Sequence, residues 1–256
     1  MSFPPTGRWR FVVPNAVTCL SLVVGLYSIV CSFAGRFEEA AWLILLSVLL
    51  DKLDGTVARA LNASTKIGVQ LDSFSDFATF GLAPGFLFLG LNTGSGPYAA
   101  YWGTDTLATV AKLASAFLVV MSALRLARFN VMTDDIGGRI FLGCPTTLVG
   151  GLSASFLLTA WKYELPPAVV AAYPYVLFVL GLWMVSNLPL PKMRKTSSNA
   201  FNIFTIVNVL VSYVLIVLRV YPEIPFLQSF LYLFIGTWYA STRMKDDWTQ
   251  VRQAAS

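Results

Sequence analysis

The chain has 256 residues, of which 56% are hydrophobic and 12% are charged, with a net charge of +5 and no histidine. Because a soluble domain is usually about 25% charged, this composition indicates an integral membrane protein. The lack of histidine excludes Ser-His-Asp triads and histidine-ligated metals, and the positive charge, which lies mostly in short loops, indicates contact with lipid headgroups and no nucleic-acid partner.

Eight apolar segments follow one another along the chain, each long enough to predict a transmembrane helix. They span residues 13–34, 39–61, 70–92, 106–127, 145–162, 168–187, 202–219 and 224–242. The sequence therefore predicts an all-α integral membrane protein, a bundle of about eight transmembrane helices. No soluble region interrupts it, so we expect one domain over residues 1–256, with a short polar tail at 244–256.

The lysines and arginines predict how this bundle is oriented. If both termini lie on one side of the membrane, that side holds thirteen basic residues, whereas the other side holds only Arg36, Lys112, Lys162 and Arg219. Because cytoplasmic loops carry the excess of basic residues, both termini are predicted to be cytoplasmic. The connection between the second and third helices then lies at the cytoplasmic surface.

That connection carries four aspartates between two apolar segments. Asp51 and Asp54 are three residues apart, and Asp72 and Asp76 are four apart, so each pair shares one face of its helix. Two neighbouring helices can therefore direct four carboxylates into one space. Ionisable groups inside a membrane are costly and usually functional, which indicates a site here.

The charge of this group predicts a metal centre. Two divalent cations would neutralise four carboxylates, and oxygen ligands without histidine or cysteine favour Mg²⁺ or Mn²⁺, with Ca²⁺ as a non-native occupant. Such two-metal carboxylate sites normally act on phosphates, and Arg59 is spaced to hold one. The alternative is a structural ion cluster in which the aspartates pair with Lys52, Arg59 and Lys66.

The spacing of these residues resembles the signature of the CDP-alcohol phosphotransferases at every fixed position. The pattern reads Asp51-x2-Asp54-Gly55-x2-Ala58-Arg59-x8-Gly68-x3-Asp72-x3-Asp76. The resemblance implies a helical membrane enzyme, usually a homodimer, that transfers a phosphatidyl-type group from a CDP-linked lipid to an alcohol and releases CMP. With the orientation predicted from the basic residues, we expect such an enzyme in the cytoplasmic (inner) membrane with its active site facing the cytoplasm.

The resemblance also implies roles for individual residues. The four aspartates would bind two divalent metals, and Asp76 would be the catalytic base. A second segment, Pro14-Asn15-Ala16-Val17-Thr18, is similar to the family's P-N-x-x-T sequence, which helps to enclose the nucleotide. The residues implied to contact CDP are Asn15, Thr18, Gly55, Ala58, Arg59, Thr65 and Gly68. For Asn15 and Thr18 the alternative role is helix capping.

Further stretches, ALRLARFNV at 123–131 and FLGCP at 141–145, resemble the phosphatidylserine synthase branch of the family. That resemblance implies CDP-diacylglycerol and L-serine as substrates. The branch commonly reads G-L-P-x-P, whereas residues 143–147 here read GCPTT, so one proline is missing. Arg125 and Arg128 lie three residues apart on one helix face, and a guanidinium suits the carboxylate of an amino acid. Either arginine is a candidate for acceptor binding, and ordinary positive-inside charge is the alternative.

Three other functions remain open at this point. The same chemistry could use choline, glycerol 3-phosphate or inositol phosphate as the acceptor. A cation transporter would also use intramembrane carboxylates, but it would distribute them along a pathway rather than at one face. A non-enzymatic membrane scaffold would give no reason for the site.

Overall fold

A computed structural model describes residues 8–63, 65–102, 105–132, 140–192, 199–245 and 247–249. Ten α-helices and two short strands make up most of these residues. The helices are α1 (Arg8–Phe33), α2 (Phe37–Ala60), α3 (Lys66–Asp76), α4 (Ala83–Asn92), α5 (Asp105–Met132), α6 (Thr146–Lys162), α7 (Pro167–Ala171), α8 (Tyr173–Val185), α9 (Asn199–Leu218) and α10 (Glu223–Arg243). The strands are β1 (Ile140–Leu142) and β2 (Pro189–Pro191), and a π-helical segment (Phe77–Leu82) joins α3 to α4.

Each apolar segment of the sequence coincides with one helix or with a run of consecutive helices. The structure is mostly helical, as predicted. Among the described residues, four spans are long and apolar enough to cross a membrane by length and composition: Val12–Phe33, Lys66–Asn92, Ala108–Val131 and Pro167–Val185. The total of eight crossings and the side of the termini remain predictions.

The surface of the bundle suits a lipid environment. Large apolar side chains on α9 are more than half exposed, among them Phe204 at 64% and Val217 at 61%. A continuous apolar face of this kind would be a liability in water, whereas lipid tails cover it without penalty.

The π-helical segment lies at the centre of the bundle. The amide of Ala83 donates to the carbonyl of Ala78, five residues earlier, which is the π-helical pattern. Phe80 is fully buried within this segment. α1, α5 and α6 all pack against the segment, and Gly25 of α1 lies so close to Thr79 that a Cβ would come within 2.1 Å of its methyl carbon.

A two-stranded ribbon, which the sequence analysis did not predict, closes off residues 143–188. β1 and β2 pair antiparallel, with Phe141 opposite Leu190. Each strand has only three residues, and β2 begins and ends with proline, so neither carries the alternating pattern by which strands are recognised.

Two neighbouring glycines of α6 test the packing around the π-helical segment. A Cβ on Gly150 would lie 2.9–3.1 Å from the ring and backbone of Phe80, whereas a Cβ on Gly151 would meet Val48 at an ordinary 3.4 Å. Overpacking costs about 1–3 kcal/mol, and alanine gains up to about 1 kcal/mol over glycine in a helix. We therefore expect Gly150→Ala to lower the apparent melting temperature in detergent by about 2–6 °C.

The matched control is Gly151→Ala, which should leave the melting temperature unchanged or raise it. Equal melting temperatures for the two variants would contradict the close packing of α6 on the π-helical segment.

Candidate active site

The candidate site lies between the carboxyl-terminal half of α2 and the length of α3, from Gly68 in its first turn to Asp76 at its end. A tight turn joins these helices, with Asn62 in the left-handed region at φ +48°. Thr65 begins α3 as its N-cap, and its hydroxyl accepts the amide of Gly68 at 2.9 Å. α2 and α3 pack mainly on α1 rather than on each other. This arrangement leaves an open space between the two helices that carry the aspartates.

Three of the four aspartates form one cluster. Asp51, Asp72 and Asp76 can each bring a carboxylate oxygen within 4.8 Å of the others. Asp76 is the most enclosed of the three, with 9% of its surface exposed. Asp54 lies outside this group of three, and its Oδ2 accepts a hydrogen bond of 2.7 Å from the hydroxyl of Thr18 on α1.

The donor set of this cluster suits a hard divalent cation. All its ligand atoms are carboxylate oxygens, and such oxygens are the preferred ligands of Mg²⁺, Mn²⁺ and Ca²⁺. Carboxylates this close repel each other when ionised, and a cation between them would relieve that repulsion. The cluster could therefore hold a divalent cation.

A cavity of about 880 Å³ adjoins the cluster, and three of the aspartates, Asp51, Asp54 and Asp72, line it. The seven residues that the sequence analysis assigned to CDP all line it too. They are Asn15, Thr18, Gly55, Ala58, Arg59, Thr65 and Gly68. Residues from α1, α2, α3 and the turn after α2 thus meet at one cavity, although Asn15 and Gly68 are more than fifty positions apart in the chain.

Two glycines shape this cavity. A Cβ on Gly68 would lie 3.1 Å from the side-chain oxygen of Asn15 and 3.1 Å from that of Thr65, so glycine permits the approach of α1 to α3. A Cβ on Gly55 would lie 3.4 Å from Nη1 of Arg59. The guanidinium of Arg59 therefore lies over the glycine surface at the cavity wall, and its Nη2 donates to Thr56 at 3.3 Å.

The two arginines of α5 have different surroundings. Arg125 is buried and donates to the hydroxyl of Thr146 at 3.2 Å. Its guanidinium is also close enough to Asp76, Asp51 and Asp72 to attract their carboxylates electrostatically. Arg125 therefore belongs to the aspartate site.

Arg128 instead reaches the end of α8. Its Nη1 donates to the carbonyl of Val185 at 2.9 Å, and its Nη2 donates to the side-chain oxygen of Asn187 at 2.5 Å. A cation at the last carbonyls of a helix satisfies acceptors that have no partner within the helix. These contacts hold α8 against α5.

A stack of aromatic rings and cations leads outward from Arg125. Its guanidinium carbon lies 4.9 Å from the ring centre of Phe129, the ring centres of Phe129 and Phe141 are 6.2 Å apart, and Nζ of Lys192 lies 4.9 Å from the ring centre of Phe141. Such contacts contribute about 0.5–2 kcal/mol each. The stack joins the aspartate site to the β1–β2 ribbon.

Sequence reasoning missed several residues of the site. Phe129 lines the cavity, and so does Lys52, which the sequence analysis named only as an ion-pair partner of the aspartates. Asn130 donates to the hydroxyl of Ser73 at 2.9 Å, which ties α5 to α3 beside Asp72. Phe129 follows Arg125 by four residues, so helical spacing could have identified it. No sequence signal indicated that Asn130 would meet Ser73, 57 residues away.

Comparison with known proteins agrees with this geometry. The sequence profile described as CDP-alcohol phosphatidyltransferase matches residues 11–238. A CDP-diacylglycerol–serine O-phosphatidyltransferase of Helicobacter pylori (strain ATCC 700392 / 26695) is 31% identical over 210 residues, which cover 80% of this chain and 82% of the relative. An archaetidylserine synthase of Methanothermobacter thermautotrophicus is 31% identical over 183 residues, 71% of this chain and 70% of that protein.

A further CDP-diacylglycerol–serine O-phosphatidyltransferase, from Mycobacterium leprae, is 32% identical over 194 residues, 73% of this chain and 60% of the relative. The profile covers the aspartate cluster, the cavity residues and both arginines of α5. The chain therefore belongs to the CDP-alcohol phosphatidyltransferase family.

Proposed function

We propose that this protein transfers the phosphatidyl group of CDP-diacylglycerol to L-serine, giving phosphatidylserine and CMP. The observation that carries the proposal is the meeting of the seven nucleotide-assigned residues and three aspartates at one cavity. All three relatives described above are named after serine or a serine lipid, which favours serine as the acceptor.

The cavity would bind the CDP part of the donor. Its volume of about 880 Å³ is within the usual range for small-molecule sites. Asn15 and Thr65 offer polar side chains at one wall, where Gly68 leaves room for both, and Gly55 leaves room for the guanidinium of Arg59. Arg59 would pair with a phosphate oxygen.

The aspartates would hold two divalent cations, Mg²⁺ or Mn²⁺. Asp51, Asp72 and Asp76 would be ligands from the cluster, and Asp54 would be a ligand oriented by Thr18. When bound, such cations neutralise the carboxylates and polarise the phosphoryl oxygens of a substrate.

In the proposed reaction the serine hydroxyl oxygen attacks the phosphorus next to diacylglycerol. A new O–P bond forms, the bond from that phosphorus to CMP breaks, and Asp76 takes the hydroxyl proton. Burial of Asp76 keeps bulk water from competing for that proton.

Arg125 would bind the serine carboxylate. Its side chain is buried beside Asp76, and Thr146 and Phe129 fix its direction. Arg128 would act as a positioning residue that keeps α8 and the ribbon in place.

The wider organisation belongs to the same proposal. Eight helices would cross the cytoplasmic membrane within one domain over residues 1–256, both termini and the active site would face the cytoplasm, and two copies would form a homodimer. The excess of basic residues on the side of the aspartates supports this orientation.

Another acceptor is the nearest alternative. The phosphate of glycerol 3-phosphate or inositol phosphate could also pair with Arg125, whereas choline has no anion for it. A cation transporter is disfavoured, because the buried charged side chains of the described residues, Asp54, Asp76 and Arg125, gather at one end of the bundle.

CMP release by the purified protein tests the reaction. With CDP-diacylglycerol and Mg²⁺ or Mn²⁺, we expect release with L-serine and not with choline, glycerol 3-phosphate or inositol phosphate. Asp76→Asn should lower kcat by about 10²–10⁴-fold, because it removes the proposed base.

Glu164→Gln, an exposed acid away from the site, is the matched control and should keep full activity. A folded Asp76→Asn protein that remained fully active would disprove the role of Asp76, and release with a different acceptor would move the enzyme to another branch of the family.

Thr18 provides a test of metal binding that does not depend on turnover. Thr18→Val keeps the side-chain shape but removes the hydrogen bond to Asp54, so the Mg²⁺ or Mn²⁺ concentration for half-maximal thermal stabilisation should rise about 10–100-fold. Thr18→Ser retains the hydroxyl and should respond like the wild type. An unchanged metal response in Thr18→Val would show that this bond does not support a metal site.

Lysine variants of the two arginines of α5 should show that Arg125 and Arg128 have different roles. Arg125→Lys loses the guanidinium fork, so we expect KM for serine to rise about tenfold or more with little change in KM for CDP-diacylglycerol. Arg128→Lys should mainly lower the melting temperature. A larger rise of the serine KM in Arg128→Lys than in Arg125→Lys would reverse the assignment.

A further inference from the structure

Two adjoining cavities lie at the end of the bundle opposite to the aspartates. Their volumes are about 630 and 560 Å³. They lie where the α1–α2 turn, the end of α6 and the α9–α10 turn meet. Glu38, Trp42, Trp161 and Arg219 line both cavities and therefore mark their junction.

The walls of this junction are fixed by contacts within the protein. The indole nitrogen of Trp161 donates to the hydroxyl of Tyr98 at 2.6 Å. Nζ of Lys162 lies 2.7 Å from Glu223 at the start of α10, and Tyr163 donates to the same carboxylate oxygen at 3.1 Å. These bonds hold the end of α6 to the α9–α10 turn, so the cavities have a defined shape.

Most of the charged side chains around the cavities are paired with each other. Arg36 pairs with Glu39 at 2.9 Å, and Lys162 pairs with Glu223. Within the part of the chain that the structure describes, Glu38 and Arg219 have neither an ion pair nor a side-chain hydrogen bond. One anion and one cation thus face the same junction without contacting each other.

The backbone holds Arg219 in an unusual conformation. Its φ is +55°, in the left-handed region that residues other than glycine seldom adopt. Tyr221, two residues later, has φ +50° and lines one of the cavities. The turn between α9 and α10 therefore holds the backbone of two cavity-lining residues in a sparsely populated conformation, at some conformational cost.

We infer that this junction binds the zwitterionic headgroup of an aminophospholipid in the leaflet opposite to the active site. The headgroup phosphate would pair with Arg219, and its primary ammonium would pair with Glu38. An unpaired cation and an unpaired anion on one cavity match a ligand that carries both charges, whereas a purely anionic lipid would leave Glu38 facing a negative charge.

The position of the junction favours a lipid over a soluble zwitterion. It lies at the ends of membrane helices, where tryptophan and tyrosine rings normally meet the headgroup region. Trp42, Trp161 and Tyr221 offer ring surface for the glycerol and first methylene groups, and Val220 lines the same cavity. The inference does not depend on the proposed reaction, which occurs at the other end of the bundle.

Lipid titration of the purified full chain in detergent tests this inference. Phosphatidylethanolamine should raise the melting temperature saturably, and phosphatidylglycerol with the same acyl chains should do so much less. Arg219→Gln and Glu38→Gln should each raise the half-maximal phosphatidylethanolamine concentration about tenfold or more, the loss expected for one hydrogen bond to a charged group.

Lys112→Gln removes an exposed cation that lines neither cavity and is the matched control. It should titrate like the wild type, and all three variants should melt like the wild type without added lipid. Unchanged phosphatidylethanolamine responses in both Arg219→Gln and Glu38→Gln would overturn the inference. Equal stabilisation by phosphatidylglycerol, or by soluble phosphoethanolamine at the same headgroup concentration, would overturn it as well.

Discussion

Carboxylate oxygens of Asp51, Asp72 and Asp76 converge within 4.8 Å inside a bundle whose outer faces are largely apolar. A single aspartate at mid-membrane costs about 2.5–3.5 kcal/mol, and neighbouring carboxylates add their mutual repulsion. The fold offsets this charge with the buried guanidinium of Arg125 and with oxygen geometry that could hold a cation. The aspartates of α2 and α3 and the arginine of α5 thus compensate one another in charge, which links these three helices at the site.

The packing of α1, α2 and α3 explains why a cavity remains beside the cluster. α2 and α3 both pack on α1 and leave space between them, and glycines at the cavity wall keep that space from being filled by side chains. Farther into the bundle, the π-helical segment places Phe80 in the core. The continuous span Lys66–Asn92 thus lines an open polar site at one end and packs closely in the interior at its middle.

Much of this organisation could be predicted from the sequence, because its causes are local. Helical spacing alone puts Asp72 and Asp76 on one face, and apolar segment length locates the helices. The ribbon, the π-helical segment and the contact of Asn130 with Ser73 depend on partners far away in the chain, and their own residues carry no distinctive pattern. Spacing on α5 likewise could not separate Arg125 from Arg128, since only tertiary packing decides which one faces the aspartates.

Residues 143–188 form a segment whose two ends are held together by the pairing of β1 with β2. Arg125 donates a hydrogen bond to Thr146 near the start of this segment, and Arg128 donates hydrogen bonds to Val185 and Asn187 near its end. One turn of α5 therefore contacts both ends of the segment, which contains α6, α7 and α8. The position of the Arg125 guanidinium at the aspartate site therefore depends on how α6 and α8 pack against α5.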